Sequence, residues 1–523
     1  MMPGSHEEAS RAAERIQELC HTGRPEEALE LARSLTADRN DVDLVLALTE
    51  IDAGEALGDR AVVASGVSRL ATLSEQHDSP GLAYNRANGL LVLWQLGVRD
   101  VGFARAVASY RAELQQARDL YSATGANPDA DPETRCQALV NLGNSMDGVG
   151  RHIDAIRAYD AALRIDSDFA MAHGNRGLTF LHRAGVDTKH RHALACEAVG
   201  SLDAALARPD DVLARGGPGA LERFRSERAM IEGTPVHSHD PASMGDAYLD
   251  WCLRHEFFLH SSHGCIGPTT EVLDSLSLGG MVVGVDDQSQ QRLRTLQDAL
   301  NALLRDYIAA RYLAWMSLEP DAPARQHAAD LSVRSSFYDT LTYGRWGVGT
   351  GLAVTALSAA TNLLDKVASV VHLYLDTGRN PSGVYFRRFY LQPAKKKQPA
   401  EPNPAVSAEL EERNFGLLAL CDLAGELERP TPLNELLSRR HAATHRAVAV
   451  HEMLLDEVEE QDWVDRVEAS ELREAVLEQL ARGRAALLYL ADMINQRELR
   501  SKPDGPIVAM PSWPAVPESN DLW

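Results

Sequence analysis

The sequence predicts an all-α protein: an N-terminal solenoid of helical hairpins followed by an all-helical bundle. Three observations carry this. Ala, Leu, Arg and Glu dominate while aromatic residues make up 6% of the chain, a mixture that favours helix over strand. Ala138 and Ala172, Asn141 and Asn175, and Gly143 and Gly177 stand 34 residues apart, and a period of this size marks stacked helical repeats. In LRTLQDALNALLRDYIAARYLAWMSLE and LAVTALSAATNLLDKVASVVHLYLDTG the apolar residues keep helical spacing over many turns.

Size and charge bound the rest. At about 150 residues per domain, the 523 residues suggest about three domains. Hydrophobic residues are 45% and charged residues 24%, as in ordinary globular chains, and a chain this long buries a core without a disulfide or metal staple. A formal net charge of -23 argues against a general nucleic-acid coat or an anionic-membrane binder and confines any RNA contact to a local patch. The six cysteines are scattered with no CxxC pair, and the opening MMPGSHEEAS is polar and acidic. Reduced thiols in a cytoplasm are expected. The uncharged stretch from Trp346 to Leu364 is rich in Gly, Thr, Ser and Asn and reads as a buried helix, not a membrane span.

Taken in order, residues 1–235 read as helical hairpins. The first clear unit, ALVNLGNSMDGVGRHIDAIRAYDAALRID, resembles the tetratricopeptide (TPR) pattern. Leu142-Gly143 stands where a small residue lets the first helix approach the second, and Ala155, Tyr159 and Ala162 take the small, aromatic and small positions of the second helix. GRPEEALELA (Gly23 to Ala32) echoes GRHIDAIRAY (Gly150 to Tyr159), and LAYNRANGLLVL resembles another first helix. Hairpins that cannot bury their apolar faces alone stack into a solenoid with a concave surface, able to take a protein or peptide ligand. ARPDDVLARGGPGA and EGTPVHSHDPAS hold the Gly, Pro and Asp that punctuate helices, so a boundary is placed near 240. Residues 240–460 form a second helical domain, 461–500 a helical extension, and 501–523 a Pro-rich irregular tail. Within the second domain, LNELLSRRHAATHRAVAVHEMLLDEVEE reads as helix.

That helix contains SRRHAATHR, residues 438 to 446. Arg440, the polar His441 and then His445 resemble the Arg-polar-x-x-x-His signature of the HEPN superfamily, all-helical domains found in many RNases of toxin and antiviral systems. The order of TPR-like repeats, AYLDWCLRHEFFL, DYIAARYLAWMSLE, NLLDKVASVVHLYL and then the Arg-His pair looks like a bacterial HEPN subfamily with repeats in front. An Asn-Pro element goes with that subfamily after the first of these segments, and SSHGCIGPTT stands there instead. The resemblance implies a homodimer in which two motifs meet in one cleft.

The residue types suit metal-independent RNA cleavage. The ribose 2'-OH is the nucleophile; a histidine with pKa near ~6.5 moves protons at neutral pH, and an arginine fork matches phosphate oxygens and holds the charge of the transition state. Arg440 is the expected phosphate clamp, His445 the general acid or base, and His441 an assisting or orienting group. On an ideal helix His441 and His445 share a face, while Arg440 lies about 140° from His445 and must bend across. The alternative is a solvated helix face, with Arg439, Arg440 and Arg446 pairing acids such as Glu452 and Asp456. A non-catalytic scaffold that dimerises and docks RNA or protein is the second functional reading.

Other stretches carry weaker signals. Arg387, Arg388, Lys395, Lys396 and Lys397 form a basic loop cluster suited to an RNA backbone, or simply a soluble loop. HEFFLHSSHGC lacks the HExxH spacing of a zinc enzyme; His260, His263 and Cys265 offer zinc-ligand types with no matching second cluster, and the stretch reads as a loop with ordinary hydrogen-bonding histidines. GVGTG, Gly347 to Gly351, has no preceding strand signal and reads as a helix entry. Asp365 and Lys366 read as helix-packing or dimer-face residues. No metal and no cofactor is expected.

Overall fold

The computed structural model describes residues 4–35, 40–102, 105–106, 109–235, 243–262, 264, 266, 270, 272–276, 278, 287–320, 322–338, 343–392, 402–429, 434, 447–453 and 464–500. These are overwhelmingly helical, in an all-α fold with little strand. The chain divides into two compact units. The first comprises Met1–Ala184, His192–Ser238 and Tyr390–Arg429, and the second Gly185–Arg191, His239–Phe389 and Pro430–Trp523.

The first unit opens with α1 (Gly4–His21), α2 (Pro25–Ser34), α3 (Asn40–Leu57), α4 (Arg60–Gln76), α5 (Pro80–Val101) and α6 (Arg111–Ala126). It continues with α7 (Pro132–Asp147), α8 (His152–Ile165), α9 (Ala170–Val186), α10 (Arg191–Leu206) and α11 (Pro209–Met230). Small residues set how closely these helices pack. A Cβ on Gly143 would lie 2.5 Å from the Tyr159 ring, and one on Gly177, a repeat later, 2.7 Å from Leu202. The 34-residue spacing is thus a spacing of close approaches, with Cys136, Val140, Ala155, Tyr159, Ala162 and Phe169 packed into one cluster. The GGPG run interrupts α11: the backbone leaves helical geometry at Gly217 (φ 72°), and a second helical segment starts at Pro218.

Residues 390–429, which the sequence places within the second domain, group with the first unit. They form α16 (Pro404–Glu411) and α17 (Phe415–Glu426). α17 is apolar nearly all round and buried, as a helix surrounded by protein must be. Its one buried acid, Asp422, accepts from Arg118 Nη1 at 2.6 Å and Arg151 Nη1 at 3.2 Å. Both guanidiniums are buried, and a buried charge persists only when paired in this way.

The second unit is built on three long helices, α13 (Asp287–Leu318), α15 (Val348–Tyr374) and α18 (Ala469–Arg500), with α12 (Ala247–Arg254) and α14 (Pro323–Val333) beside them. α13, α15 and α18 pack on one another, and Gly483 of α18 faces Leu363 at a separation that leaves 3.1 Å for an added Cβ. Lys366 of α15 pairs with Asp306 of α13. The GVGTG run is a helix entry, as expected. Gly347 (φ 151°) caps α15, and a Cβ there would lie 2.6 Å from Ser332 Oγ, which itself accepts from Val348 N at 2.9 Å.

One expected helix is corrected. Within LNELLSRRHAATHRAVAVHEMLLDEVEE, Ala447–His451 is a strand, β2, pairing in parallel with β3 (Val464–Glu468) and antiparallel with the short β1 (Gly344–Arg345). AVAVH alternates with period two and carries two β-branched valines, so strand geometry wins locally over the helical context. Among the described residues all cysteines are free thiols, and no helix is long and apolar enough to cross a membrane.

Candidate functional site

Of the residues singled out in the sequence, Arg440, His441, His445, Lys395, Lys396 and Lys397 lie outside the described residues. Arg387 and Arg388 lie within them, on a 3-10 turn, Phe386–Arg388. The turn is fixed from three sides. Asp365 Oδ1 accepts from Phe386 N at 2.8 Å. Phe386 is buried and stacks on Phe389, ring centroids 5.6 Å apart. The Phe389 carbonyl accepts from His372 Nε2 at 2.8 Å, which makes Nδ1 the acceptor for the Thr377 hydroxyl at 2.7 Å. Burial lowers the His372 pKa, opposed by the bond to the Phe389 carbonyl, and the imidazole serves as a structural post. Asp365 thus holds the turn through its carboxylate, while the exposed Lys366 beside it pairs with Asp306.

This turn holds Arg387 half-buried and Arg388 exposed. Arg387 Nη2 donates to the Asn434 carbonyl at 3.4 Å. Asn434 is itself buried and receives a second cation: Arg482 Nη1 of α18 stands 3.4 Å from its Oδ1, while Arg482 Nε faces Glu478 at 3.2 Å. Two guanidiniums thus converge on the residue six positions before Arg440. Two positions after His445, the chain enters β2, held by both of its neighbours. The polypeptide is therefore pinned on either side of the Arg-His motif. One turn before Arg482, the buried amide of Gln479 has no hydrogen-bond partner for its nitrogen or its oxygen among the described residues.

The HEFFLHSSHGC stretch is held in place by two buried arginines. Arg311 Nη1 donates to the Phe257 carbonyl at 2.8 Å and Nη2 to Asp274 Oδ2 at 2.6 Å. Arg484 Nε donates to the Phe258 carbonyl at 2.7 Å and Nη2 to that of His260 at 3.0 Å. His260 packs its ring 4.0 Å from that of His190 and donates from Nδ1 to the Ser262 carbonyl at 2.7 Å. Asp187 accepts from His190 N at 3.0 Å, from His190 Nδ1 at 2.9 Å and from Ser261 Oγ. Ser261 thus places its hydroxyl on the aspartate, whereas a hydroxyl nucleophile is activated by an imidazole. Burial and then His190 lower the His260 pKa to about 4. His263 and Cys265 lie outside the described residues.

Sequence reading missed Asn434, Gln479 and Arg482. The available signal was two arginines, Arg482 and Arg484, set in the apolar run ARGRAALLYL, since buried cations need a reason.

No curated protein matches this chain. Residues 288–497, a span that holds Arg387, Arg388, Asn434, Arg482 and the whole of SRRHAATHR, match the family model described as LA2681-like HEPN.

Proposed function

We propose that the protein is a metal-independent endoribonuclease of the HEPN type. Arg440 grips the scissile phosphate. His445 takes the proton from the ribose 2'-OH or gives one to the leaving 5'-oxygen, and His441 orients it. The attack forms the 2'-O–P bond as the P–O5' bond breaks, leaving 2',3'-cyclic phosphate and 5'-hydroxyl ends. The observation that carries this reading is the HEPN match enclosing the Arg-His motif. It is supported by Arg387 and Arg482 meeting at Asn434 just before the motif, a local concentration of cations in a chain of net charge -23.

Arg387, Arg388 and Lys395 to Lys397 guide the RNA backbone by salt-sensitive phosphate contacts. Two copies supply one composite cleft as a homodimer, and the TPR-like hairpins sense or regulate in a toxin or anti-phage setting in the cytoplasm. The test is RNA cleavage in the presence of EDTA. Wild-type protein cuts structured or single-stranded RNA, and Arg440→Ala and His445→Ala each lose about 100-fold or more of the rate. Cleavage that persists in both variants overturns the assignment. RNA binding without cleavage under any trigger favours the scaffold reading.

A further inference from the structure

We propose that Asp147, His152 and His182 form a binding site for a divalent transition-metal ion, Zn²⁺ by its ligand chemistry, that clips successive helical hairpins of the first unit together. The three residues come from three elements. Asp147 ends α7, His152 begins α8, and His182 lies on α9. The turn between the first two is forced: Gly150 has φ 79°, and a Cβ there would lie 2.4 Å from the Phe415 carbonyl oxygen. Asp147 and His152 are therefore delivered as a fixed pair.

The ligand atoms already lie close. His182 Nδ1 is 3.3 Å from Asp147, His152 Nε2 is 3.8 Å from Asp147 Oδ1, and all three donor atoms fall within 4.8 Å of one another. Tetrahedral Zn²⁺ with bonds of about 2.0–2.1 Å needs its ligand atoms about 3.3 Å apart. Only small side-chain movements separate this arrangement from that one. Two imidazoles and one carboxylate suit zinc and its transition-metal neighbours, not calcium or magnesium, which take oxygen ligands.

A second observation points the same way. His152 is 6% exposed. Its Nδ1 is buried with no hydrogen-bond partner among the described residues, and its Nε2 is too far from Asp147 for a hydrogen bond. Buried polar groups are almost always satisfied, and a cation held between Nε2 and Asp147 gives this ring, otherwise unbonded among the described residues, a polar partner. The carboxylate is already oriented, since Thr179 Oγ1 donates to Asp147 Oδ1 at 2.8 Å, as the outer partners of metal ligands do.

Protonation fits as well. Burial, opposed by Asp147, holds the His152 pKa down at about 4, so the ring is neutral and its lone pair free. Asp147 sits below the usual carboxylate range, because bonds and charges from His182 and His152 outweigh its burial. His182 is raised by its hydrogen bond to Asp147 and must release its proton to bind metal. Arg183 beside His152, and Arg223 and Glu227 beside His182, are the other charges in the setting. His182 leaves the site accessible, its side chain 41% exposed.

The experiment is a calorimetric titration of EDTA-treated full-length protein with Zn²⁺, with Co²⁺ absorption as a reporter of coordination. One Zn²⁺ binds per chain and raises the unfolding midpoint. His182→Ala weakens binding more than about tenfold, and Thr179→Val by about tenfold, with helical circular dichroism unchanged. No Zn²⁺ binding by the wild-type chain, or binding of equal strength by His182→Ala, overturns the proposal. His182 is accessible, so its variant remains informative if substitutions at buried His152 fail to fold.

Discussion

His152 in the first unit and His260 in the second share a lowered pKa of about 4, and burial leads in both cases. Their surroundings are opposite. Around His260 the neighbours are bonded to one another: its Nδ1 donates to Ser262, and Asp187 takes two bonds from His190 and one from Ser261. Around His152 the aspartate is bonded to Thr179 and His182, while the imidazole makes no hydrogen bond with the described residues. The closed cluster is a structural knot; the open one is a ligand set. A displaced pKa alone did not separate them, because desolvation lowers any buried imidazole. The accounting of hydrogen bonds did.

Acid gives the largest test. The unfolded chain protonates both rings near ~6.5, whereas the folded chain resists until about 4. The unfolded state therefore binds more protons within that window. Stability is fully present above ~6.5 and falls as pH drops toward about 4, by up to about 3 kcal/mol per histidine. Urea melts across this range check it, and a flat profile breaks the claim that both rings are buried and neutral.

Zinc then separates the clusters. At neutral pH and about 100-fold over its dissociation constant, Zn²⁺ stabilises the wild-type chain by about 2.7 kcal/mol. It does the same for His260→Asn and fails for His182→Ala in thermal melts. Without metal the order reverses. Asp187→Ala costs about 2 kcal/mol, since it strands the buried His190 and Ser261, while Asp147→Ala costs about 1 kcal/mol; equal losses in urea would remove the distinction. The smallest effect comes on raising the pH. The raised pKa of His182 gives a stabilisation present below the unfolded value and lost as pH rises through the folded one, and Asp147→Asn abolishes that slope.

Much of the architecture was legible. Helical periodicity marked α13, α15 and α18, and the glycine spacing marked the close helix approaches of the first unit. The strand at Ala447–His451 was hidden by its helical neighbourhood: a five-residue element shows barely two periods, and its partners, Gly344–Arg345 and Val464–Glu468, are remote in sequence. The grouping of residues 390–429 with the first unit was also invisible. It depends on Arg118 and Arg151 meeting Asp422, some 270 to 300 positions away, and no local pattern encodes such a pairing.

The sequence by itself determined the helical class and the repeat spacing, and it carries the Arg440–His445 spacing on which the proposed function rests, because these depend on neighbours within a few turns of chain. Only the tertiary structure decided that Arg387 and Arg482 meet at Asn434, and that His182 completes a cluster with Asp147 and His152. Those positions become neighbours through packing between helices, where buried charge and unsatisfied nitrogen acquire their energetic weight.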